Sequence, residues 1–360
     1  MTYSLVEIPR EATPDSADGW MFHQSAGVIA AALRASIGDD ESALNAAELW
    51  ALGRETPGGF GCQAVILDGA APGRVVAFAE VDLPMKDNLI SAHLHSWVHP
   101  DHWRRGLGTR LEAWQLGIAE EFQRTTLITW VAAREPHDDE ASITAPEGGS
   151  FAADLPAWGF AQKHCWMVEQ VERTSRLDLP VDQGLLDSLR AKVARASSGY
   201  EVLSHVGPIP SDWVDGLAEL HEVMSVDIPT AGLDFTPEKW DAERVLSEYE
   251  MIRNMNREMV LVVAREISSG RLVGFSDLAV QRDSGDGKGF QWNTLVRRQH
   301  NGHRLGLALK LASTEAIMAE TPWITRIYTD NASENGAMLA INHAIGYQLA
   351  NPTVAFQKRL

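Results

Sequence analysis

Two stretches of this chain have the residue types and spacing of a phosphate-binding site. Each consists of an apolar strand, a basic loop that contains glycine, and the start of a helix. The first runs from His95 to Thr109 and the second from Trp292 to Ala308. Free backbone N–H groups at a helix start, the positive end of the helix dipole and nearby arginines all favour an anion. Each stretch predicts a site for a phosphate-bearing ligand, and the repetition predicts a duplicated domain.

The glycines of the two loops predict how the copies align. Gly106 and Gly306 are expected to hold equivalent places, 200 residues apart. On that alignment the second loop is two residues longer, because 8 residues separate Val98 from Gly106 and 10 separate Val296 from Gly306. Neither loop has the glycine spacing of a Walker A motif or of a dinucleotide-binding fingerprint.

Composition limits the class of protein. The 360 residues favour two domains of about 180 residues each. A formal net charge of −18 argues against nucleic-acid binding, which needs a basic face, and would suit a cationic acceptor. No apolar stretch predicts a membrane span, and the N-terminus does not read as a secretion signal. The two cysteines, Cys62 and Cys165, fit a reduced cytoplasmic protein better than a disulfide framework.

The elements around the two loops repeat in order. Each half is predicted to run strand, two helices, three strands, helix, strand, helix, and closing strands. The charged, proline-containing residues 173–184 are the predicted linker between an N-terminal domain, 1–172, and a C-terminal domain, 185–360. We expect Phe160 to Val171 to close the first half as a strand, and Val354 to Lys358 to close the second.

Loop and element order together resemble the GNAT N-acetyltransferase superfamily, present twice in tandem. The resemblance covers essentially the whole chain and is similar in layout to two-domain actinobacterial members. It implies an α/β (α+β) fold of two GNAT-like domains. Each would contain a mixed, mostly antiparallel sheet flanked by helices.

The superfamily signature is Gln/Arg-x-x-Gly-x-Gly/Ala, whose backbone amides cradle the CoA pyrophosphate. In the first copy, Trp103 stands where Gln or Arg is usual, and in the second either Asn301 or His303 fills that place. The resemblance implies acetyl-CoA contacts in both copies. The first-copy residues are Trp97, Val98, Arg104, Arg105, Gly106, Gly108 and Thr109, and the second-copy residues are Leu295, Val296, Gly302, His303, Arg304, Leu305, Gly306, Leu307, Ala308, Asn331 and Asn335.

A second superfamily element lies after the fifth strand. Asn335 and Gly346-Tyr347 match it, but Asn342 occupies the position of the tyrosine that often protonates the CoA thiolate. Counting back from Gly159-Phe160 places Leu155 there in the first half. Neither half therefore keeps the tyrosine. The C-terminal copy retains both elements and is the predicted catalytic copy, while the N-terminal copy is a candidate for degeneration.

Direct acyl transfer needs a base that removes a proton from the amine. Asp277, on the strand before the second loop, is the candidate, with Tyr328 and Asp330 as alternates. The competing interpretation of Asp277 is an ordinary acid at a strand end. In the first half, Glu80 and Asp82 are weaker equivalents.

Histidines and tryptophans near the loops also invite a functional interpretation. His93 and His95 share a strand face, but we predict no metal, because His99 and His102 lie in the loop that should face pyrophosphate. The tryptophans on the two fourth strands, Trp97 and Trp292, could line an acceptor pocket or simply pack.

The predicted function is an acyl-CoA-dependent N-acyltransferase, transferring acetyl from acetyl-CoA to a primary amine of a small molecule by direct attack. The alternatives are a CoA-binding regulatory or scaffold protein without catalysis, and transfer to a protein amino group. No nucleic acid, membrane or metal is expected as a partner. A monomer or weak homodimer is the expected oligomeric state.

Overall fold

The computed structural model describes residues 2–69, 72–283 and 285–360, which form two compact units. The N-terminal unit comprises the described residues up to Val171 together with Thr230–Phe235 and Asn351–Leu360. The C-terminal unit comprises Glu172–Pro229 and Thr236–Ala350. Each unit combines helices with a mostly antiparallel sheet, which confirms the predicted α/β class.

The N-terminal half of the chain follows the predicted order of elements, with two short added strands. Its elements are β1 (Tyr3–Glu7), α1 (Trp20–Ile37), α2 (Ala46–Leu52), β2 (Gly59–Asp68), β3 (Arg74–Pro84), β4 (Ser91–Val98), α3 (Leu107–Glu121), β5 (Thr126–Ala132), β6 (Ser142–Thr144), β7 (Ser150–Ala152), α4 (Pro156–Lys163) and β8 (Met167–Asp178).

The C-terminal half repeats this order after one additional helix. Its elements are α5 (Gln183–Ala196), β9 (Tyr200–Val206), α6 (Val214–Asp227), α7 (Ala242–Asn254), β10 (Arg257–Glu266), β11 (Leu272–Gln281), β12 (Lys288–Val296), α8 (Leu305–Glu320), β13 (Arg326–Ala332), α9 (Gly336–Ile345), β14 (Gln348–Leu349) and β15 (Thr353–Arg359).

Each sheet contains one parallel pair, and that pair separates along its length. In the N-terminal unit β4 pairs with β5 only from Ser91 to His93. In the C-terminal unit β12 pairs with β13 only from Lys288 to Gln291. Beyond those points no pairing joins the described residues of the two strands, so each unit has a V-shaped opening beside its fourth strand.

The last strands of the two halves are exchanged between the units. The final strand, β15, pairs antiparallel with β5 and so completes the N-terminal sheet. The residues of β8 from Glu172 onward pair with β13 in the C-terminal unit. The apolar pattern of this segment had suggested that it closes the second half. Strand β15 does not, because it lies in the N-terminal sheet. A period-two pattern marks a strand but does not specify its partner.

Two further predictions are corrected around the junction. Pro156–Lys163 is the helix α4, so the strand expected from Phe160 begins only at Met167. The predicted linker 173–184 is mostly structured, because β8 extends to Asp178 and α5 begins at Gln183.

Apolar residues at helical spacing hold the helices against the sheets. In α1 the buried positions include Met21, Phe22, Val28, Ile29 and Leu33, which is the i, i+3, i+4 pattern of one helix face. In the C-terminal unit, α6 and α7 bury a matching stripe against Leu261, Val263 and Phe275. These layers fix the strands that carry the functional side chains.

Candidate functional site

The two loops have the same backbone conformation, and this corrects their alignment. Arg104 and Gly106 have positive φ angles of 60° and 78° in the first loop. Gly302 and Arg304 have φ angles of 88° and 56° in the second. The matching residues are 198 positions apart, not 200, and the loops are equal in length. Arg304 therefore corresponds to Gly106, and Gly306 corresponds to Gly108.

A tyrosine–histidine pair fixes each loop to the first strand of its unit. The Tyr3 hydroxyl lies 3.0 Å from Nδ1 of His102, and the Tyr200 hydroxyl lies 2.9 Å from Nδ1 of His300. The two histidines are again 198 residues apart. Sequence reasoning missed both pairs, although the repeated tyrosine and histidine positions carried the signal.

On this alignment the signature begins at Asn301 in the second copy, and His303 is excluded from that place. The first signature glycine is then Arg304, an L-residue held in the left-handed region where glycine is favoured. The earlier assignment of Gly306-Leu307-Ala308 to the Gly-x-Gly/Ala pattern was wrong by two residues. It failed because a glycine happened to lie two positions further on.

The start of α8 offers an anion site. The Ala308 N–H donates to the Arg304 carbonyl, which closes the first helical turn and removes Ala308 from the predicted contacts. The N–H groups of Leu305, Gly306 and Leu307 precede that bond and have no acceptor within the helix. With the helix dipole they form a cradle for phosphate oxygens.

Some of the described basic side chains near this cradle are already paired with acidic groups, and others are not. Arg304 is exposed and is the predicted basic contact that stays available. Arg297 is 2.8 Å from the Glu219 carboxylate, and Arg298 is 3.0 Å from Asp227. The His303 ring is 3.3 Å from the Ala196 carbonyl.

Strand β12 presents an open backbone edge beside the V-shaped opening. The Arg297 N–H donates to the Val273 carbonyl of β11. Because backbone groups alternate in direction along an antiparallel strand, Leu295 also faces β11, whereas Thr294 and Val296 face the opening. Of the two predicted backbone contacts, only Val296 is therefore available to an extended ligand.

The equivalent edge in the N-terminal unit is closed. The His99 N–H donates to Val76, so by the same alternation Val98 directs its carbonyl toward the opening. The indole N–H of Trp103 occupies that carbonyl at 2.6 Å. Trp103 is the residue that departs from the superfamily signature.

The other predicted contacts of the first copy are dispersed. Trp97 stacks on Phe78, with ring centres 5.9 Å apart, on the sheet face that packs against α1. Arg104 is exposed. Arg105 donates to the Tyr3 hydroxyl at 3.0 Å, and the Thr109 hydroxyl lies 3.4 Å from the His164 ring. Gly106 and Gly108 lie at the start of α3.

Asp277 is a buried carboxylate next to the open edge of β12. One oxygen accepts from the Asn293 backbone N–H at 2.8 Å and the other from its side-chain amide at 2.9 Å. Burial raises the pKa of Asp277 to about 6, and the bonds from Asn293 oppose that shift. Trp292 forms a β-bulge between Gln291 and Asn293. The bend that this bulge gives to β12 therefore lies next to the Asp277 carboxylate.

A second carboxylate in the same unit was missed by sequence reasoning. Burial, and then the charge of Asp277, raise the pKa of Glu248 on α7 to about 8. Glu248 and Asp277 are thus within electrostatic reach of each other, and at neutral pH one is protonated while the other is ionised. A single glutamate on an amphipathic helix carries no sequence signal for such a role.

The remaining predicted residues lie on β13 and α9. The buried Tyr328 ring stacks on Phe290, with centres 5.8 Å apart. Asp330 accepts from the Thr174 hydroxyl at 2.5 Å. Asn331 accepts from Asn342 at 2.7 Å. Asn335 caps α9 by accepting from the Met338 N–H at 3.2 Å.

The position of the missing tyrosine is also realigned. The N–H of Tyr347 donates to the carbonyl of Asn342, and the N–H of Trp166 donates to that of Ala161 in the same way. Ala161, not Leu155, is therefore the first-half equivalent of Asn342. Neither unit has a tyrosine there, as predicted.

A buried lysine forms a polar network across the C-terminal sheet. Nζ of Lys310 donates to Oε1 of Gln291 at 2.7 Å, and the Tyr347 hydroxyl donates to the same oxygen at 3.2 Å. The Gln291 amide donates to Ser276, whose hydroxyl donates to the Asn293 carbonyl. Since Asn293 holds Asp277, the network links the two faces of the sheet.

Two other kinds of feature are absent from the described residues. Across residues 2–69, 72–283 and 285–360, no group of three or more histidine, cysteine or acidic residues is arranged to hold a metal ion. Within the same described ranges, no helix combines the length and apolar character that crossing a bilayer requires.

Comparison with solved structures identifies the fold as a tandem GNAT fold. A tandem GNAT protein from the clavulanic acid biosynthesis pathway, in a structure without AcCoA, matches with a TM-score of 0.73 and 23% identity over 99% of this chain and 98% of that chain. A GCN5-related N-acetyltransferase from Sphaerobacter thermophilus matches with a TM-score of 0.63 and 17% identity over 99% and 95% of the two chains.

A more distant neighbour is N-myristoyltransferase from Saccharomyces cerevisiae with bound myristoyl-CoA. It has a TM-score of 0.58 and 8% identity, over 100% of this chain and 79% of that chain. No protein-family model and no curated protein matches the chain. The predicted tandem GNAT resemblance is thus confirmed at the level of the fold.

Proposed function

We propose that this chain is an acyl-CoA-dependent N-acyltransferase whose C-terminal unit transfers acetyl from acetyl-CoA to a primary amine of a small molecule. The observation that carries the proposal is a buried carboxylate, Asp277, beside an open backbone edge and an anion cradle on the same unit. The fold neighbours support it, because their names include acetyl- and myristoyl-transferases of this architecture.

The donor would be held by backbone groups. The N–H groups of Leu305, Gly306 and Leu307 would bind the pyrophosphate, and Arg304 would add a positive charge. Val296 and Thr294 would bond an extended pantetheine arm as an added strand. The thioester would then lie at the opening, next to the bulge at Trp292.

Asp277 would act as the base. Its pKa of about 6 leaves it ionised at neutral pH but still basic enough to accept a proton, directly or through one water. The amine nitrogen attacks the thioester carbonyl carbon, the carbon–sulfur bond breaks, and the products are an amide and the CoA thiol. Glu248, whose pKa is about 8, is protonated at neutral pH, so Asp277 is the ionised carboxylate of the pair.

The test is CoA thiol release from acetyl-CoA with a panel of small primary amines. We expect the Asp277→Asn variant to lose activity about 100-fold or more, the usual contribution of a positioned base. Its matched control is Glu80→Gln, which removes the equivalent carboxylate of the N-terminal unit and should retain activity within about twofold. In the wild type, kcat/KM should rise with pH through about 6, where Asp277 ionises.

A non-catalytic CoA-binding protein is the competing function, favoured by Asn342 and Ala161 at the tyrosine position. Acetyl-CoA binding without thiol release for any amine would establish it. Equal activity of wild type and Asp277→Asn would instead retain the enzyme and remove Asp277 from the mechanism.

A further inference from the structure

Five aromatic or imidazole rings line one face of the N-terminal sheet, and we call them the ring groove: His93, His95, Trp97, Trp130 and Phe235. The first three alternate along β4 and therefore share a face, and Trp130 lies on β5 across the opening. All five are partly exposed, whereas rings that only fill a core are buried. The set therefore lines a surface that a ligand can reach.

His95, Trp97, Trp130 and Phe235 form nearly parallel stacked pairs, whereas His93 stands edge-on to Trp130 and Phe235. His95 stacks with Trp97 at 5.8 Å and 15°, and with Trp130 at 6.4 Å and 24°. Phe235 stacks with Trp130 at 6.4 Å and 17°. A flat ring can stack upon the exposed faces of such rings, and indole faces attract a cation.

A histidine at the base of the groove has an unused nitrogen. Nδ1 of His93 is 3.4 Å from the Asp82 carboxylate. Its Nε2 is enclosed but bonds to no atom of the described residues. A buried polar atom without a partner is costly, so a ligand N–H that bonds to Nε2 would remove that cost.

The charge of the groove suits a cation. The Asp82 side chain is 42% exposed and supplies negative charge at the opening. Burial lowers the pKa of His95 to about 4, so its ring is neutral and does not repel a cation. The net charge of −18 acts in the same direction at longer range.

One wall of the groove is attached by specific bonds. Phe235 belongs to the segment Thr230–Phe235, whose Asp234 carboxylate accepts from Arg359 at 2.9 and 3.0 Å. The side chain of Gln357 bonds the Asp234 N–H at 2.8 Å and the Gly232 carbonyl at 3.1 Å. These bonds hold Phe235 in place before any ligand arrives.

We propose that the ring groove is a second small-molecule site, which binds a primary ammonium that carries a flat ring. The ring would stack against Trp130 and Phe235, and the ammonium would donate to Nε2 of His93, with the Asp82 carboxylate at the Nδ1 side of the same imidazole. Because Trp103 closes the donor edge of this unit, the bound amine is not acylated there. The proposal concerns binding and stands whether or not the C-terminal unit transfers an acyl group.

Calorimetric titration with benzylamine tests this proposal on the full-length Asp277→Asn variant, which removes the charge of the C-terminal candidate site. We expect saturable binding. It should weaken about tenfold for cyclohexylmethylamine, which lacks the aromatic ring, and for benzyl alcohol, which lacks the charge. Adding Trp130→Leu should also weaken benzylamine binding about tenfold, and adding Asp82→Asn about fivefold.

Phe235→Leu is a second variant that leaves Asp234 and its bonds in place, and it should weaken binding if Trp130→Leu fails to fold. Trp292→Leu, at the opening of the C-terminal unit, is the matched control and should leave the benzylamine affinity unchanged. No binding, equal affinity for the three probes, or loss of binding with Trp292→Leu rather than Trp130→Leu and Phe235→Leu would overturn the proposal.

Discussion

Helix α3 of the N-terminal unit and helix α8 of the C-terminal unit begin with nearly the same backbone conformation, but they carry different residues there. In the N-terminal unit the left-handed cap is Gly106, and Trp103 bonds the carbonyl on the open edge. In the C-terminal unit the cap is Arg304, and Asn301 stands where Trp103 does. The unit with the better glycine signature therefore has the closed edge. The glycine signature and the open backbone edge therefore favour different copies as the donor site.

Helices α3 and α8 also differ at their sixth residue. Glu112 on α3 and Lys310 on α8 are both buried and are 198 residues apart. Glu112 pairs with His164 and accepts from Trp166 at 3.0 Å and Lys358 at 3.2 Å. Lys310 has an amide oxygen and a tyrosine ring but no carboxylate partner among the described residues. Burial lowers the pKa of Lys310 to about 7.

The largest effect is expected from a carboxylate placed in one cradle at a time. A Cβ at Gly306 would lie 3.1 Å from Ile341, and a Cβ at Gly108 would lie 3.2 Å from Phe160, so the two sites are matched in crowding. Calorimetry should show acetyl-CoA binding about 100-fold weaker in Gly306→Glu, because the new charge repels pyrophosphate. Gly108→Glu should bind within about twofold of wild type. The reverse result would move the donor site to the N-terminal unit.

The two buried charges should respond oppositely to neutralisation. Lys310→Met should raise the free energy of unfolding by about 2 kcal/mol at pH 6, because it removes an ammonium without a counter-ion. The pKa of Lys310 is about 7 in the folded protein, whereas the ordinary pKa of a lysine side chain is 10.5. The cost of burying the Lys310 ammonium is therefore full below pH 7 and decreases as the pH rises toward 10.5. The stabilisation by Lys310→Met should accordingly be smaller at pH 9 than at pH 6.

Glu112→Gln is the comparison variant and should lower the free energy of unfolding by about 1–3 kcal/mol, because three donors lose their charged acceptor. Urea denaturation at pH 6 and pH 9 measures both variants. A destabilised Lys310→Met would show that the network through Gln291 outweighs the cost of the buried charge.

Exchanging the edge residues should change donor binding by about tenfold. Asn301→Trp would place an indole N–H near the Val296 carbonyl and should weaken acetyl-CoA binding by that factor. Trp103→Asn frees the Val98 carbonyl and should add a weak second equivalent in the same titration. If neither variant changes affinity or stoichiometry, the edge carbonyls do not bind the donor.

The smallest effect concerns the left-handed caps. Arg304→Gly should raise the free energy of unfolding by about 0.5–1 kcal/mol, because glycine adopts a φ of 56° without strain. Gly106→Ala should lower it by about 1 kcal/mol for the converse reason. Thermal unfolding followed by circular dichroism measures both. A stabilised Gly106→Ala would mean that the loop relaxes to a different conformation.

The sequence was sufficient for the fold class and the duplicated loop, and Asp277 stays a predicted base. It was insufficient for the exact alignment of the two loops, because Gly306 resembles the first glycine of the motif. An equal count of residues from Val98 and from Val296 would have given the correct alignment. Glu248 and the ring groove could not be found, since Phe235 joins His93 only through a contact between residues distant in sequence. Strand patterns likewise do not state which neighbour a strand will choose.

The exchange of the closing strands has a genetic consequence. A gene cut at residue 172 would leave the first product without Thr353–Arg359, and the uncovered edge of β5 would be open to pairing with other chains. The second product would keep the β8 residues that pair with β13, but it would carry Thr353–Arg359 as an orphan strand at its end. The two units therefore do not separate by a single cut, because β15 completes the sheet of the N-terminal unit.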